Sequence, residues 1–258
     1  QRQMCIRDSI LSFPAAQKLG VTVETLVKSA GLQAKAMEIV AAETDTLAAV
    51  SLMDLSVEAE AFGAQVRFAE GEVPAIVGQL VSDGEEADAL AVPDLSAGRA
   101  LLCVEAVRTA AERIPHKPVI AGMIGPYSLA GRLCDVTEIM YLCFDEPETV
   151  HTVLDKACTY LIRYGQAMKA AGADQFAVAT VAEGVELRQA GIEWPILMLN
   201  QAPEGAIQTL VDYDIMPSVY TSEFALAYGE CAAAMGKVGK YHLAIDTGMT
   251  RIGVMLSL

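Results

Sequence analysis

Four short apolar segments recur along the second half of the chain: QFAVATV from residue 175, PILMLN from 195, MPSVYT from 216 and YHLAID from 241. About ten to fifteen residues of helical pattern separate each from the next. Strands this short and this uniformly apolar are buried on both faces. That environment belongs to parallel sheets, whose neighbouring strands must be joined by crossover helices. Two similar segments lie upstream, LAAVSLMDL from residue 47 and PVIAGMIGP from 118, and a short apolar start, ILSFPAAQKLG, precedes them. The expected fold class is therefore α/β, a (β/α) TIM-barrel-like chain. A count of about seven parallel strands leaves an eight-stranded ring incomplete.

The helices between them follow from periodicity and punctuation. A helical stretch is expected over 23–40, and the 58–81 stretch alternates as short strands with a hairpin-like excursion. The acidic run SDGEEAD at 82–88 reads as a solvated connection, and a second helix is expected over 96–113. A third should start at Asp145 as N-cap, with Pro147 in its first turn and Glu148 three residues after the cap. Val150, Val153, Leu154, Ala157, Leu161, Ile162 and Met168 would form its buried face, and it should end near Ala171 and Gly172.

Charge narrows the partners. With 18 basic against 33 acidic residues, the net charge of -15 opposes phosphate backbones and anionic lipid, so neither nucleic acid nor a membrane is expected as a partner. No apolar run approaches the ~20 residues of a bilayer span, and the expected location is the cytoplasm. The six cysteines include no C-x-x-C pair and no H-x-C, so they read as small buried hydrophobes, and no metal site is expected. His242, at the head of a strand, reads as a satisfied structural histidine. Lys237 and Lys240 read as solvated. Residues 1–9, QRQMCIRDS, resemble a translated adapter remnant, and residues 255–258 are a second candidate for such a remnant. Setting both apart from the fold makes the chain a fragment at both termini.

Three motifs in order, MDLSVEAEAFGAQV at 53–66, PVIAGMIGPYSLAGRL at 118–133 and EPETVHTVLDKACTYLIRYGQAMKAAGAD at 146–174, resemble the uroporphyrinogen decarboxylase superfamily. The likeness spans residues 10–174 and is closest to its branch of methylcobalamin:coenzyme M and related corrinoid-dependent methyltransferases. The resemblance implies a catalytic role for Asp54, matching an aspartate that contacts pyrrole N–H groups in the decarboxylases and stabilises developing positive charge. As a residue, Asp54 can equally serve to cap the helix that follows. Arg132, counted among the substrate-contacting positions, stands where decarboxylases carry a tyrosine, and their arginine-rich N-terminal segment is not seen. Both departures favour the methyltransferase branch. There the resemblance implies zinc, which activates a thiol, and methylcobalamin as methyl donor. The His-x-Cys pair that would hold zinc is missing from this sequence.

From Asp174 the sequence changes character. QFAVATVAEGVELRQAGIEWPILMLNQAPEG, YDIMPSVYTSEFA and YHLAIDTGMTRIGV resemble the N-terminal barrel of alanine racemase over residues 175–254. The implied cofactor is pyridoxal phosphate, with Arg251 reaching its phenolic oxygen and the substrate carboxylate, and Met249 beside it. A guanidinium suits that task because its planar donors stay charged and can fork onto a carboxylate. The lysine that commonly orients this arginine is replaced by Ala244. The Schiff-base lysine and its VKANAYGHG-like context are not seen, and two-base racemisation needs both that lysine and a tyrosine base.

The chain thus reads as a chimera, with the word KAAGAD at its join. Three functions are expected from this reading. The first is a fragment related to corrinoid-dependent methyltransferases, inactive as it stands; the second is a fragment of alanine racemase; the third is a non-catalytic chimeric product. No cofactor is expected to bind well. A small-molecule substrate is the implied partner, with a corrinoid protein for the first parent and a homodimer for the second.

Overall fold

The computed structural model describes residues 12–44, 48–174, 176–178, 180–246 and 253–255. The chain divides into two compact units between Ala173 and Asp174. The first unit begins with three helices, α1 (Ser12–Leu19), α2 (Val23–Val27) and α3 (Ala30–Glu43). The expected helix over 23–40 is broken because Ser29 turns out of it and caps α3, its hydroxyl accepting from the Leu32 amide. β1 (Ala49–Val50) follows, then α4 (Val57–Ala61) and the antiparallel pair β2 (Gln65–Arg67) and β3 (Ala75–Val77). The hairpin-like excursion is present, but its leading residues form a helical turn.

The acidic run is a helix, α5 (Gly84–Ala89), rather than a loop. Asp83 accepts from the Glu86 amide at 2.9 Å, Glu86 reaches back to the Ser82 amide at 2.7 Å, and Ala87 is fully buried. Reciprocal capping and one buried methyl outweigh the repulsion of neighbouring acids on so short an element. α6 (Ala100–Arg113) starts four residues later than the expected 96. Asp94 closes a turn on the Ser96 amide, and Gly98 sits at φ +57, a conformation no right-handed helix continues through.

β4 (Val119–Ile120) pairs parallel with β1, matching Ala49 to Val119. Then come α7 (Pro126–Cys134), α8 (Glu138–Asp145) and the long α9 (Pro147–Ala170). Asp145 closes α8, and Glu146 is the residue that turns into α9, accepting from the Thr149 hydroxyl at 3.0 Å. The predicted apolar face is largely right: Val150, Val153, Ala157, Leu161 and Met168 are buried, together with Tyr160 and Tyr164. α9 ends as expected. Gly172, at φ +104, lets its own amide bond Lys169 and the Ala173 amide bond Met168, the paired closure of a left-handed helix cap. A Cβ on Gly172 would lie 2.8 Å from the Ala111 methyl, so α9 also needs glycine for close approach to α6.

The second unit is a run of β and α elements. β5 (Phe176–Val178), α10 (Val181–Gln189), β6 (Ile196–Met198), α11 (Ile207–Asp212), β7 (Ile215–Val219), α12 (Ser222–Ala234) and β8 (His242–Leu243) alternate. The four strands form one parallel sheet in chain order. Thr180 and Glu183 build a reciprocal cap at the start of α10, and Thr221 caps α12. Ile196, Leu210, Ile215, Val219, Phe224 and Tyr228 form the core. Arg188 at the end of α10 donates to the carbonyls of Ile192, Trp194, Tyr213 and Asp214, tying the turns that lead into β6 and β7. β9 (Ile245–Asp246) and β10 (Val254–Met255) pair parallel beyond β8.

The class is α/β, with the parallel strand-helix repeat of a (β/α) barrel. Among the described residues the strands fall into four separate sheets. Burial on both faces holds for β6 but not for β8, both of whose residues, His242 among them, are exposed. The cysteines also divide. Cys134 is buried, Cys103, Cys158 and Cys231 are intermediate, and Cys143 is exposed, because α8 carries it on its outer side.

Candidate functional site

The carboxyl ends of β1 and β4 lie side by side and carry the polar residues of the first unit. Parallel pairing brings Ser51 to the Ile120 carbonyl and its hydroxyl to the Gly122 amide at 2.8 Å. A Cβ on Gly122 would meet the sulfur of Met53, so that side chain would have to shift to admit any other residue. Just past this joint the chain turns at Asp54 into α4, and a buried cluster of charge collects around it.

Asp54 uses both carboxylate oxygens. One accepts from the Ser56 amide at 3.0 Å and from its hydroxyl at 2.6 Å, which makes the turn into α4. The other accepts from the Arg99 guanidinium at 2.5 Å. Arg99 stands at the foot of α6 and spreads its remaining donors to Ser56 at 2.9 Å and Glu60 at 2.6 Å. Below the guanidinium lies the Phe68 ring, 5.0 Å away at its centroid, with the Lys28 ammonium over the same ring. A planar, always-charged fork can serve three acceptors at once, which an ammonium could not do in this geometry.

Glu58, between Asp54 and Glu60 in sequence, faces the interior. Its Oε1 accepts from the Ile124 amide, in the loop after β4, at 2.9 Å, and its Oε2 has no partner. Burial is the largest influence on it and raises its pKa from 4.5 to about 7, with the negative charge of Asp54 adding to the rise and the Ile124 amide and Arg99 opposing it. Cys103, one turn into α6, is pushed up to about 12 by burial. Tyr164 lies within hydrogen-bonding reach of its sulfur, and Tyr160, stacked on Tyr164 at 6.0 Å, has a buried hydroxyl without a partner. The interior of this unit thus holds one cation, a bound carboxylate and a second carboxyl group poised to keep its proton.

Sequence reading selects Asp54 from this cluster and passes over Arg99, Glu58 and Glu60. The signal for the last two is present: acids interleaved with Val57, Ala59, Ala61 and Phe62 are acids inside an apolar segment. Arg99 has no local signal, because its partners lie 45 and 39 positions away. Arg132 is half-buried in the last turn of α7. Met249 and Arg251 lie outside the described residues. Among the described residues no three histidine, cysteine, aspartate or glutamate side chains converge as a metal site.

In the second unit, the carboxyl ends of β6 and β7 are joined by Gln201, which accepts from the Tyr220 amide at 2.7 Å, and by the Tyr220 hydroxyl, which donates to the Leu199 carbonyl at 3.1 Å. At the amino ends of β7 and β8 a cavity of about 300 Å³ is lined by Val211, Asp214, Tyr228 and the 237–240 turn. Lys237 is not simply solvated: its ammonium donates to the carbonyls of Val211 and Asp212 and so caps α11. Lys240 is exposed.

The parallel strand-helix repeat of a (β/α) barrel, with polar residues at the carboxyl ends of β1 and β4, defines the class. The profile of the uroporphyrinogen decarboxylase family matches residues 6–191, well over half of the sequence, and the chain belongs to that family. The profile of the alanine racemase N-terminal domain matches residues 151–257, so the chain is a composite of two families that both claim 151–191. Among solved structures, a methyltransferase from Methanosarcina mazei is similar with a TM-score of 0.69 at 20% identity, over 85% of this chain and 72% of that one, a likeness of fold. Alanine racemase of Carboxydothermus hydrogenoformans is 44% identical over 92 residues, which are 36% of this chain and 25% of that protein. Alanine racemase of Clostridium novyi is 46% identical over 84 residues, 33% of this chain and 22% of that protein. The chain spans about a quarter of the length of these curated relatives.

Proposed function

We propose that the chain is a methyltransferase-related fragment of the uroporphyrinogen decarboxylase superfamily joined to racemase-like sequence, and that as it stands it performs neither methyl transfer nor racemisation. The observation that carries this reading is the state of Asp54. Ser56 donates twice to one of its oxygens and Arg99 once to the other, and the carboxylate is buried, so most of its acceptor capacity is spent inside the fold and little of it faces a substrate. Its place here is that of a positioning residue for α4 and α6.

The cofactors of the parent families fit the residues poorly. Zinc needs three or four converging ligands, and no such group occurs among the described residues. Pyridoxal phosphate needs a lysine free to form an imine, and the second unit offers Lys237, engaged with two carbonyls, and the exposed Lys240. A corrinoid protein and a homodimer are partners of the complete enzymes in this reading, not of this chain. No described helix is long and apolar enough to cross a membrane.

The second reading, a racemase fragment that retains cofactor affinity, is favoured by the 44% identity over 92 residues. Spectroscopy separates the two. The protein is mixed with methylcobalamin, zinc and coenzyme M, and separately with pyridoxal phosphate and L-alanine. The expected result is a stable methylcobalamin spectrum and no aldimine absorption band. Demethylation of the cobalamin would overturn the inactivity of the first half, and an aldimine band or D-alanine would establish the racemase reading. Amplification from source DNA across codons 150–200 tests the composite itself, which predicts no product if the join arose in assembly and a clean product if the fusion is natural.

A further inference from the structure

Glu58 plays no part in the proposed function, and its surroundings are unusual for a carboxyl group. It lies in the first turn of α4, faces away from solvent, and accepts from the amide of Ile124 in the loop between β4 and α7. The titratable and charged groups that face it come from three directions: Asp54 from the loop after β1, Arg99 and Cys103 from the start of α6, and Tyr160 and Tyr164 from α9. α7, which also packs on α4, contributes the Ile124 amide through its leading loop. Arg99, the one cation in this set, is already committed to Asp54, Glu60 and Ser56. An ionised Glu58 would therefore be a further anion in a dry interior, compensated chiefly by one neighbouring amide and with Oε2 facing no donor.

We infer that Glu58 is a proton-controlled latch: uncharged, it seats α4 against the loop after β4 through the Ile124 amide, and opening of that seat releases its proton to solvent. The loop it holds also carries Gly125 and Pro126, where α7 begins, so the latch governs how firmly the carboxyl end of β4 is tied to the Asp54–Arg99 cluster.

The sign follows from linkage. The seated group keeps its proton to about pH 7, whereas the released group titrates at its ordinary value of 4.5, so opening becomes easier as pH rises between these limits and levels off above them. In the full chain, the amide-exchange protection factor of Ile124, corrected for intrinsic exchange, is expected to fall about tenfold per pH unit inside that window and to flatten beyond it. Glu58→Gln keeps the acceptor for Ile124 without a titrating proton, and its profile should be flat. A flat profile in the unmodified chain, or the same fall in the variant, overturns the latch. Should the variant fail to fold, the side-chain carboxyl carbon of Glu58 is followed by NMR in the unmodified chain. A midpoint near 7 shared by the Ile124 amide nitrogen supports the latch, and a midpoint near 4.5, or an Ile124 signal that ignores it, defeats it.

Discussion

Arg99 and Asp54, 45 positions apart in sequence, meet at 2.5 Å inside the first unit, and between them they fix where α4 and α6 begin. Removing the guanidinium strands two carboxylates, Asp54 and Glu60, whose side chains are 3% and 22% exposed. Arg99→Met is expected to cost about 3 kcal/mol or more in a denaturant titration. The double variant Arg99→Met with Asp54→Asn should recover part of that loss, because most of it comes from leaving a buried charge uncompensated. A single variant within about 0.5 kcal/mol of the parent would show the cluster to be energetically idle.

Stability should also depend on pH through Glu58. Its folded-state pKa is raised, so the folded chain holds a proton that the unfolded chain gives up. Unfolding free energy then falls as pH rises from 4.5 to about 7 and is level above that, with a total span of roughly 3 kcal/mol. Glu58→Gln should remove this slope and be the more stable form above neutrality. Thermal unfolding at several pH values reads both.

Gly172 is required twice, by a backbone angle of φ +104 and by its approach to Ala111. Gly172→Ala should destabilise by about 1–3 kcal/mol, the combined effect of a left-handed alanine and a crowded helix contact. Gly205, where an added Cβ would meet nothing within 4 Å, is the matched control and should tolerate alanine.

Thiol labelling should follow burial. Cys143 is exposed on α8, whereas burial pushes the Cys103 and Cys134 thiols up to about 12 and about 11. Peptide mass mapping after brief alkylation at neutral pH is expected to find Cys143 modified first among the cysteines of the described residues, with Cys103 and Cys134 modified only after unfolding. Early reaction at Cys134 would mean that α7 opens locally.

Periodicity makes the strand-helix order legible, and α9 with its closing glycine is legible in detail, because helical spacing, Pro147 and Gly172 all act within a turn or two of the residues they affect. The failures share a cause. The run at 82–88 reads as a loop from its charge, yet Asp83 and Glu86 satisfy backbone amides and Ala87 finds a core that the local sequence does not reveal. Asp54 is legible as a residue of interest, but its engagement depends on Arg99, a partner no spacing rule points to. The strand pattern implies burial on both faces for the segment from 241, although β8 is exposed along both residues. Local chemistry is readable; which surfaces meet is not.

The cap at the end of α9 is built from the last turn of the helix. The amides of Ala171, Gly172 and Ala173 all turn back to carbonyls within the helix, so these three donors are satisfied by α9 itself. A helix finished in this way acts as punctuation, and the next clause can be rewritten without spoiling the grammar of the one before.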